Sequence, residues 1–152
     1  MPRVYHIGMA AGLLLVGCQA NRADDPPRVR YGEAACSQCG MLISEEPYAA
    51  ALVSPAGEVQ RFDDIGCLIR YRQQHPESGP ARQWVHDYRT AAWMDASGAW
   101  YVQSAEVTTP MGSGIVALAS EAEAAQLAQD AHSRVMRFDA LSVDGAVRRR
   151  ER

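Results

Sequence analysis

The chain has no lysine: its 15 basic residues are all arginine, set against 18 acidic residues for a formal net charge of −3. Apart from Arg148, Arg149, Arg150 and Arg152 the arginines are scattered. A mildly acidic chain without a basic stripe is not built to hold nucleic acid. Also missing are a Gly-rich phosphate loop, an H-E-x-x-H pair and a Ser/His/Asp arrangement, which sets aside the usual nucleotide-dependent and hydrolytic chemistries. Long apolar runs are absent too. The stretch from Ile7 to Val16 is ten residues, whereas a bilayer-crossing helix needs about 20.

What that short run does offer is its order. Arg3 precedes it, and Leu15-Val16-Gly17-Cys18 follows, small residues leading into a cysteine. This is the lipobox of a bacterial lipoprotein, so residues 1–17 are expected to be a signal peptide and Cys18 the lipidated N-terminus. An ordinary N-terminal core segment would not need charge, apolar run and small-small-Cys end in that order. Several acyl chains anchor far more firmly than one. Residues 18–30 are polar and interrupted by proline, as expected of a tether. Gln19 stands where aspartate would retain a Gram-negative lipoprotein at the inner membrane. By resemblance to those sorting rules, the protein is expected in the outer membrane, facing the periplasm.

Lipidation of Cys18 leaves three thiols, Cys36, Cys39 and Cys67. An odd number in an exported chain means that one stays free or serves as a ligand. Cys36 and Cys39 form a C-x-x-C, which an oxidising compartment tends to close into a disulfide. Met41 follows two residues after it, and a thioether beside thiolates favours a soft ion such as Cu(I).

The rest reads as one domain's worth of sequence, in two parts with the same order of elements. In residues 31–89, Tyr48–Val53 and Glu58–Phe62 read as strands around a Ser54-Pro55-Ala56-Gly57 turn. Asp63 or Asp64 caps a helix from Ile65 to about Gln74, and Arg82–His86 is a third strand. In residues 90–141, extended chain around Thr90–Met94 leads to strands at Ala99–Val107 and Gly114–Ala119. Ser120-Glu121-Ala122-Glu123 has capping-box spacing, a helix is expected to about His132, and Arg134–Phe138 closes as a strand. The expectation is an α+β fold of two β-β-α-β halves, each too small to hold a core alone. Residues 142–152 are expected to be a basic tail, solvated and disordered.

Several side chains are candidates for chemistry, and each has a plainer role. Met111, between Pro110 and Gly112, is either a gap-filler or a soft ligand from a turn. His86 is a metal ligand or, as is commoner for a lone strand histidine, a structural residue. Cys67 falls in the first turn of the helix, where a thiol pKa is lowered, yet on its apolar face, where a buried core cysteine is the simpler role. Asp63 and Asp64 suggest an acid–base pair or a hard-metal site, but one N-cap explains most of the signal.

The lipobox, C-x-x-C-G-M (Cys36–Met41), F-D-D-I-G-C (Phe62–Cys67), V-H-D-Y (Val85–Tyr88) and T-P-M-G (Thr109–Gly112), in this order, resemble the NosL family. The resemblance implies two β-β-α-β halves, reminiscent of the N-terminal part of organomercurial lyase. It also implies no enzymatic activity. The implied role is a Cu(I) chaperone that supplies a NosDFY-type transporter assembly and the copper-sulfide centre of nitrous oxide reductase. Its implied ligands are Cys39, Met41 and Met111, with Cys36 and His86 auxiliary. Two rivals stand beside it. A thiol–disulfide oxidoreductase would use Cys36 and Cys39, though Gly40-Met41-Leu42-Ile43 leads toward a strand, not a helix. A structural zinc site would use Cys36, Cys39, Cys67 and His86 and leave the methionines unexplained.

Overall fold

The computed structural model describes residues 25–76 and 82–143. The expected signal peptide, Cys18, the expected tether up to residue 24 and the expected tail from residue 144 lie outside the described residues.

Strand β1 (Ala50–Val53) is buried along its whole length and sits between β2 (Val59–Phe62) and β3 (Arg82–His86). All pairings are antiparallel, with Ala50 opposite Phe62 on one side and Val85 on the other. The β1–β2 connection closes where the Ser54 carbonyl accepts from Gly57 N–H at 2.9 Å, with Gly57 at φ +84°. Between β2 and β3, helix α1 (Ile65–Gln74) is capped by Asp64, whose side chain accepts from Gly66 N–H. Its first turn and a half, Ile65 to Ile69, is buried, and it ends at His75, ahead of Pro76.

The second half repeats the order. β5 (Trp100–Gln103) is central in its sheet, flanked by β6 (Ile115–Leu118) and β7 (Val135–Met136). Helix α2 (Glu121–Asp130) falls between β6 and β7, its N-cap Ser120 accepting from Glu123 N–H at 3.4 Å. In both halves the first strand is central, the second and third flank it, and the helix lies between second and third. The expected α+β class is the observed one, with two small antiparallel sheets and two helices.

Several details differ from the sequence reading: β1 begins at Ala50, after a 3₁₀ turn at Glu46–Tyr48, and β7 keeps only Val135–Met136, with Phe138 in a further 3₁₀ turn. The chain around Thr90–Met94 is not merely a link: β4 (Trp93–Asp95) adds to β3 as a fourth antiparallel strand. The long strand expected to reach Val107 stops at Gln103, because Ser104 turns the chain and pairs its N–H with Gly114 O at 3.0 Å. Helix α2 ends two residues early. Ser133 N–H reaches back to Ala128 O and His132 N–H to Gln129 O, with His132 at φ +46° in the position usually held by glycine.

A shared core joins the two halves, while Val102, Val116, Leu118, Ala124 and Ala128 form a second cluster under α2. Ile43, Leu52, Phe62, Ile65, Leu68 and Val85 cluster with Tyr101, Ile115 and Ala117, and Cys36 and Cys67 belong to the same cluster. The sheets themselves touch through a single parallel bridge, Asp87 to Ala117. The buried Asp87 side chain fixes that junction. One oxygen accepts from Arg89 N–H, Thr90 N–H and the Thr90 hydroxyl, and the other from Ala119 N–H at 2.7 Å.

Burial alone would raise the Asp87 pKa, but these donors outweigh it and hold the carboxyl below its ordinary range. A folded pKa below the unfolded one gives stability that is present above about pH 4 and lost as pH falls through the folded value. Asp87→Asn is therefore expected to cost roughly 1–3 kcal/mol at neutral pH. It should also flatten the acid side of the stability profile, as read by denaturant unfolding at a series of pH values. An unchanged acid slope would contradict this account.

Candidate metal centre

The centre begins with a tight turn. Leu42 bridges back to Ala35, Cys36 N–H donates to Met41 O at 2.8 Å, and Gly40 N–H donates to Cys36 O at 2.9 Å. Gly40 sits at φ +76°, which a side chain would strain. The turn docks on β2, where Ser37 N–H donates to Arg61 O and Ser37 Oγ accepts from Arg61 N–H. This geometry turns Cys36 into the core, 3% exposed, and leaves Cys39 at the surface. Met41 and Leu42 beside it are each 56% exposed.

The third thiol arrives from α1. Cys67, in the first helical turn, donates its N–H to Asp64 O at 2.9 Å and is 1% exposed. The three Sγ atoms of Cys36, Cys39 and Cys67 all lie within 4.8 Å of one another. Cys67 is thus buried, as the plainer sequence reading held, and is also part of a thiol group. Spacing alone does not show this, because 27 residues, a strand hairpin among them, lie between Cys39 and Cys67. The zinc alternative sets these three cysteines together, and the place of Cys67 in the first turn of a capped helix is a further hint.

The thiols differ in acidity. Cys36 accepts a hydrogen bond from the Cys67 thiol; burial opposes its ionisation, but the backbone N–H groups of Asp63, Cys39 and Gln38 add to the donation and pull its pKa down to about 5. Cys67 is pushed up correspondingly, since it keeps its proton to donate to Cys36 and is itself buried. The Cys39 thiol is also raised, first by desolvation. Beside them Asp63 is buried, with Oδ1 unpartnered, and desolvation raises its pKa.

Met111 comes from the other half. Its loop closes with Gly112 N–H on Thr109 O and is partly buried against the shared core that contains Cys36 and Cys67. The link between the halves here is Asp64: Oδ2 accepts from the Thr109 hydroxyl at 2.6 Å and from Met111 N–H at 3.2 Å.

His86 is placed elsewhere. It is fully buried at the end of β3, and its Nδ1 lies 2.6 Å from Ala91 O, so that nitrogen carries the proton and donates. Nε2 then accepts from the Tyr31 hydroxyl at 2.8 Å, and the ring packs 3.7 Å from that of Trp93. Burial lowers its pKa and keeps it neutral. Both nitrogens are committed, and the thiol group does not include this residue. A cleft of about 510 Å³ borders the Thr109–Ser113 loop and the chain just after α2, and no thiol lines it.

Three converging thiols, one of them at the surface, on two packed β-β-α-β halves make a small α+β protein with a sulfur-rich centre suited to a soft ion. The family model for NosL matches residues 30–145, and the chain belongs to the NosL family. It is 28% identical over 116 residues to the copper-binding lipoprotein NosL of Stutzerimonas stutzeri, a match that covers 70% of this chain. The chain spans only 60% of that relative's length. The crystal structure of the copper chaperone NosL from Shewanella denitrificans matches with a TM-score of 0.64 at 23% identity, covering 77% of this chain and 98% of that one. At that identity the likeness speaks for the fold.

Proposed function

We propose that the protein is a Cu(I) carrier, not an enzyme, anchored through a lipidated Cys18 and facing the periplasm, in the outer membrane. The observation that carries this reading is the convergence of Cys36, Cys39 and Cys67 within 4.8 Å, with Cys39 and Met41 at the surface. Soft sulfur donors select Cu(I) over hard ions. Cys39 is the exposed thiolate, Met41 and Met111 are the thioethers, and Cys36 is the buried thiolate behind them. Cargo that sits at the surface on few ligands is open to attack by an acceptor's own sulfur or nitrogen. It can then pass across by ligand exchange without changing oxidation state. The acceptors proposed are a NosDFY-type transporter assembly and nitrous oxide reductase, for its copper-sulfide centre.

The geometry also weakens both rivals. A structural zinc ion takes four protein ligands. With the nitrogens of His86 occupied by Ala91 and Tyr31, three thiols remain for it. A thiol–disulfide oxidoreductase needs an exposed thiol of lowered pKa. Here the lowered thiol is the buried Cys36 and the exposed Cys39 is raised.

The test is a competition titration of the reduced, unlipidated domain against calibrated chelators for Cu(I) and Zn(II). Tight Cu(I) binding that weakens in Met41→Leu and Met111→Leu is expected. Zn(II) binding that outcompetes Cu(I) and ignores both methionines would overturn the carrier reading. So would insulin reductase activity that depends on Cys36.

A further inference from the structure

The geometry points to Asp64 as the positioning residue that holds Met111 against the cysteine half of the centre, an inference that rests on the copper reading of Met111 above. An N-cap needs one side-chain oxygen and a helix N–H. Asp64 provides this with Oδ1, which accepts from Gly66 N–H at 2.6 Å. Its remaining contacts all lead to the other half. Oδ1 also accepts from the Ser113 hydroxyl, and Oδ2 accepts from the Thr109 hydroxyl and Met111 N–H. Meanwhile the Asp64 carbonyl receives Cys67 N–H. A single fully buried residue therefore sets the backbone of Cys67 and the backbone of Met111.

The residue type fits that double duty. Serine, asparagine and aspartate cap helices about equally well. Among them only a carboxylate accepts on two oxygens at once. A cap alone does not require aspartate here, whereas a joint between two loops does. Residues that orient a metal ligand without touching the ion are commonly worth 10–100-fold in affinity.

Asp64→Asn separates the two duties. The amide oxygen keeps Gly66 N–H and the Ser113 hydroxyl. The amide nitrogen then faces Thr109 and Met111; the hydroxyl can turn to accept, but Met111 N–H is left against a donor. The experiment measures Cu(I) affinity by chelator competition in the wild type, Asp64→Asn, Met111→Leu and the double variant. In parallel, methyl-labelled methionine NMR follows Met41 and Met111 as Cu(I) is added.

The expected result is a loss of about tenfold or more in each single variant, with no further loss in the double. The Met111 methyl shift on Cu(I) addition disappears in Asp64→Asn while that of Met41 persists. If Asp64→Asn melts earlier yet keeps the Met111 shift and the Met111→Leu penalty, Asp64 is only a cap and the inference fails alone. If Met111→Leu has no effect in the wild type, the copper reading of Met111 fails and this inference with it. Should Asp64→Asn not fold, Asp64→Ser keeps a capping oxygen but lacks the second one that holds Met111 N–H; an undiminished Met111 shift there overturns the proposal.

Discussion

Cys39→Ser is expected to lower Cu(I) affinity by more than about 100-fold, beyond what residues that merely orient a ligand contribute. Cys39 is the exposed member of the thiol group. A serine hydroxyl stays protonated at neutral pH and is a hard oxygen donor, so the variant loses both the charge and the softness that suit Cu(I). The turn that presents Cys39 is held by backbone bonds of Cys36, Gly40 and Met41. The fold should therefore not notice the change, with unfolding free energy within about 0.5 kcal/mol of the wild type, as for surface substitutions generally. Because desolvation keeps the Cys39 thiol protonated more strongly than usual, copper must displace that proton, and wild-type affinity should rise with pH. Chelator competition from pH 6 to pH 9, together with denaturant unfolding, checks all three statements. Affinity in Cys39→Ser within tenfold of the wild type would remove Cys39 from the site.

Gly114→Ala acts on the fold itself and is expected to destabilise it by about 3 kcal/mol or more. Gly114 sits at φ +65°, where a side chain costs roughly 1–2 kcal/mol. A Cβ there would lie 2.0 Å from the Ser104 carbonyl oxygen and 2.9 Å from its carbon. The clash is with backbone, not a movable side-chain tip, and the same pair is held by Ser104 N–H on Gly114 O. Overpacking of this kind commonly adds 1–3 kcal/mol. Gly114 closes the loop that carries Thr109, Met111 and Ser113, so the variant should lose copper affinity along with stability. Thermal unfolding followed by circular dichroism measures the first effect; a melting temperature unchanged within a few degrees would contradict the packing described.

The elements most legible in the sequence were those with strong local signals. Helix α1 has a capping aspartate, apolar spacing at Ile65, Leu68 and Ile69, and a His75-Pro76 stop, and it lies where those features place it. The third strand, Arg82–His86, is likewise where expected. Strand β4 is three residues long and only partly buried, too short for a period to show. The early end of α2 depends on a histidine in a left-handed conformation, which no residue pattern announces.

The centre was partly legible for a similar reason. C-x-x-C-G-M is contiguous, and its contents can be read directly. Cys67 joins the same group only because α1 brings it to the turn, and His86 lies apart from that group with its nitrogens bonded to Tyr31 and Ala91. Such contacts span up to 55 residues and belong to packing, not to spacing.

The Asp64 joint is also expected to form late in folding. Its partners Thr109, Met111 and Ser113 lie 45 to 49 residues downstream, and such long-range contacts close late because the loop entropy must be overcome first. A chain emerging from its N-terminus presents Cys36 and Cys39 well before the segment that carries Met111 exists. For that interval the dithiol is open to oxidants and to stray metal ions.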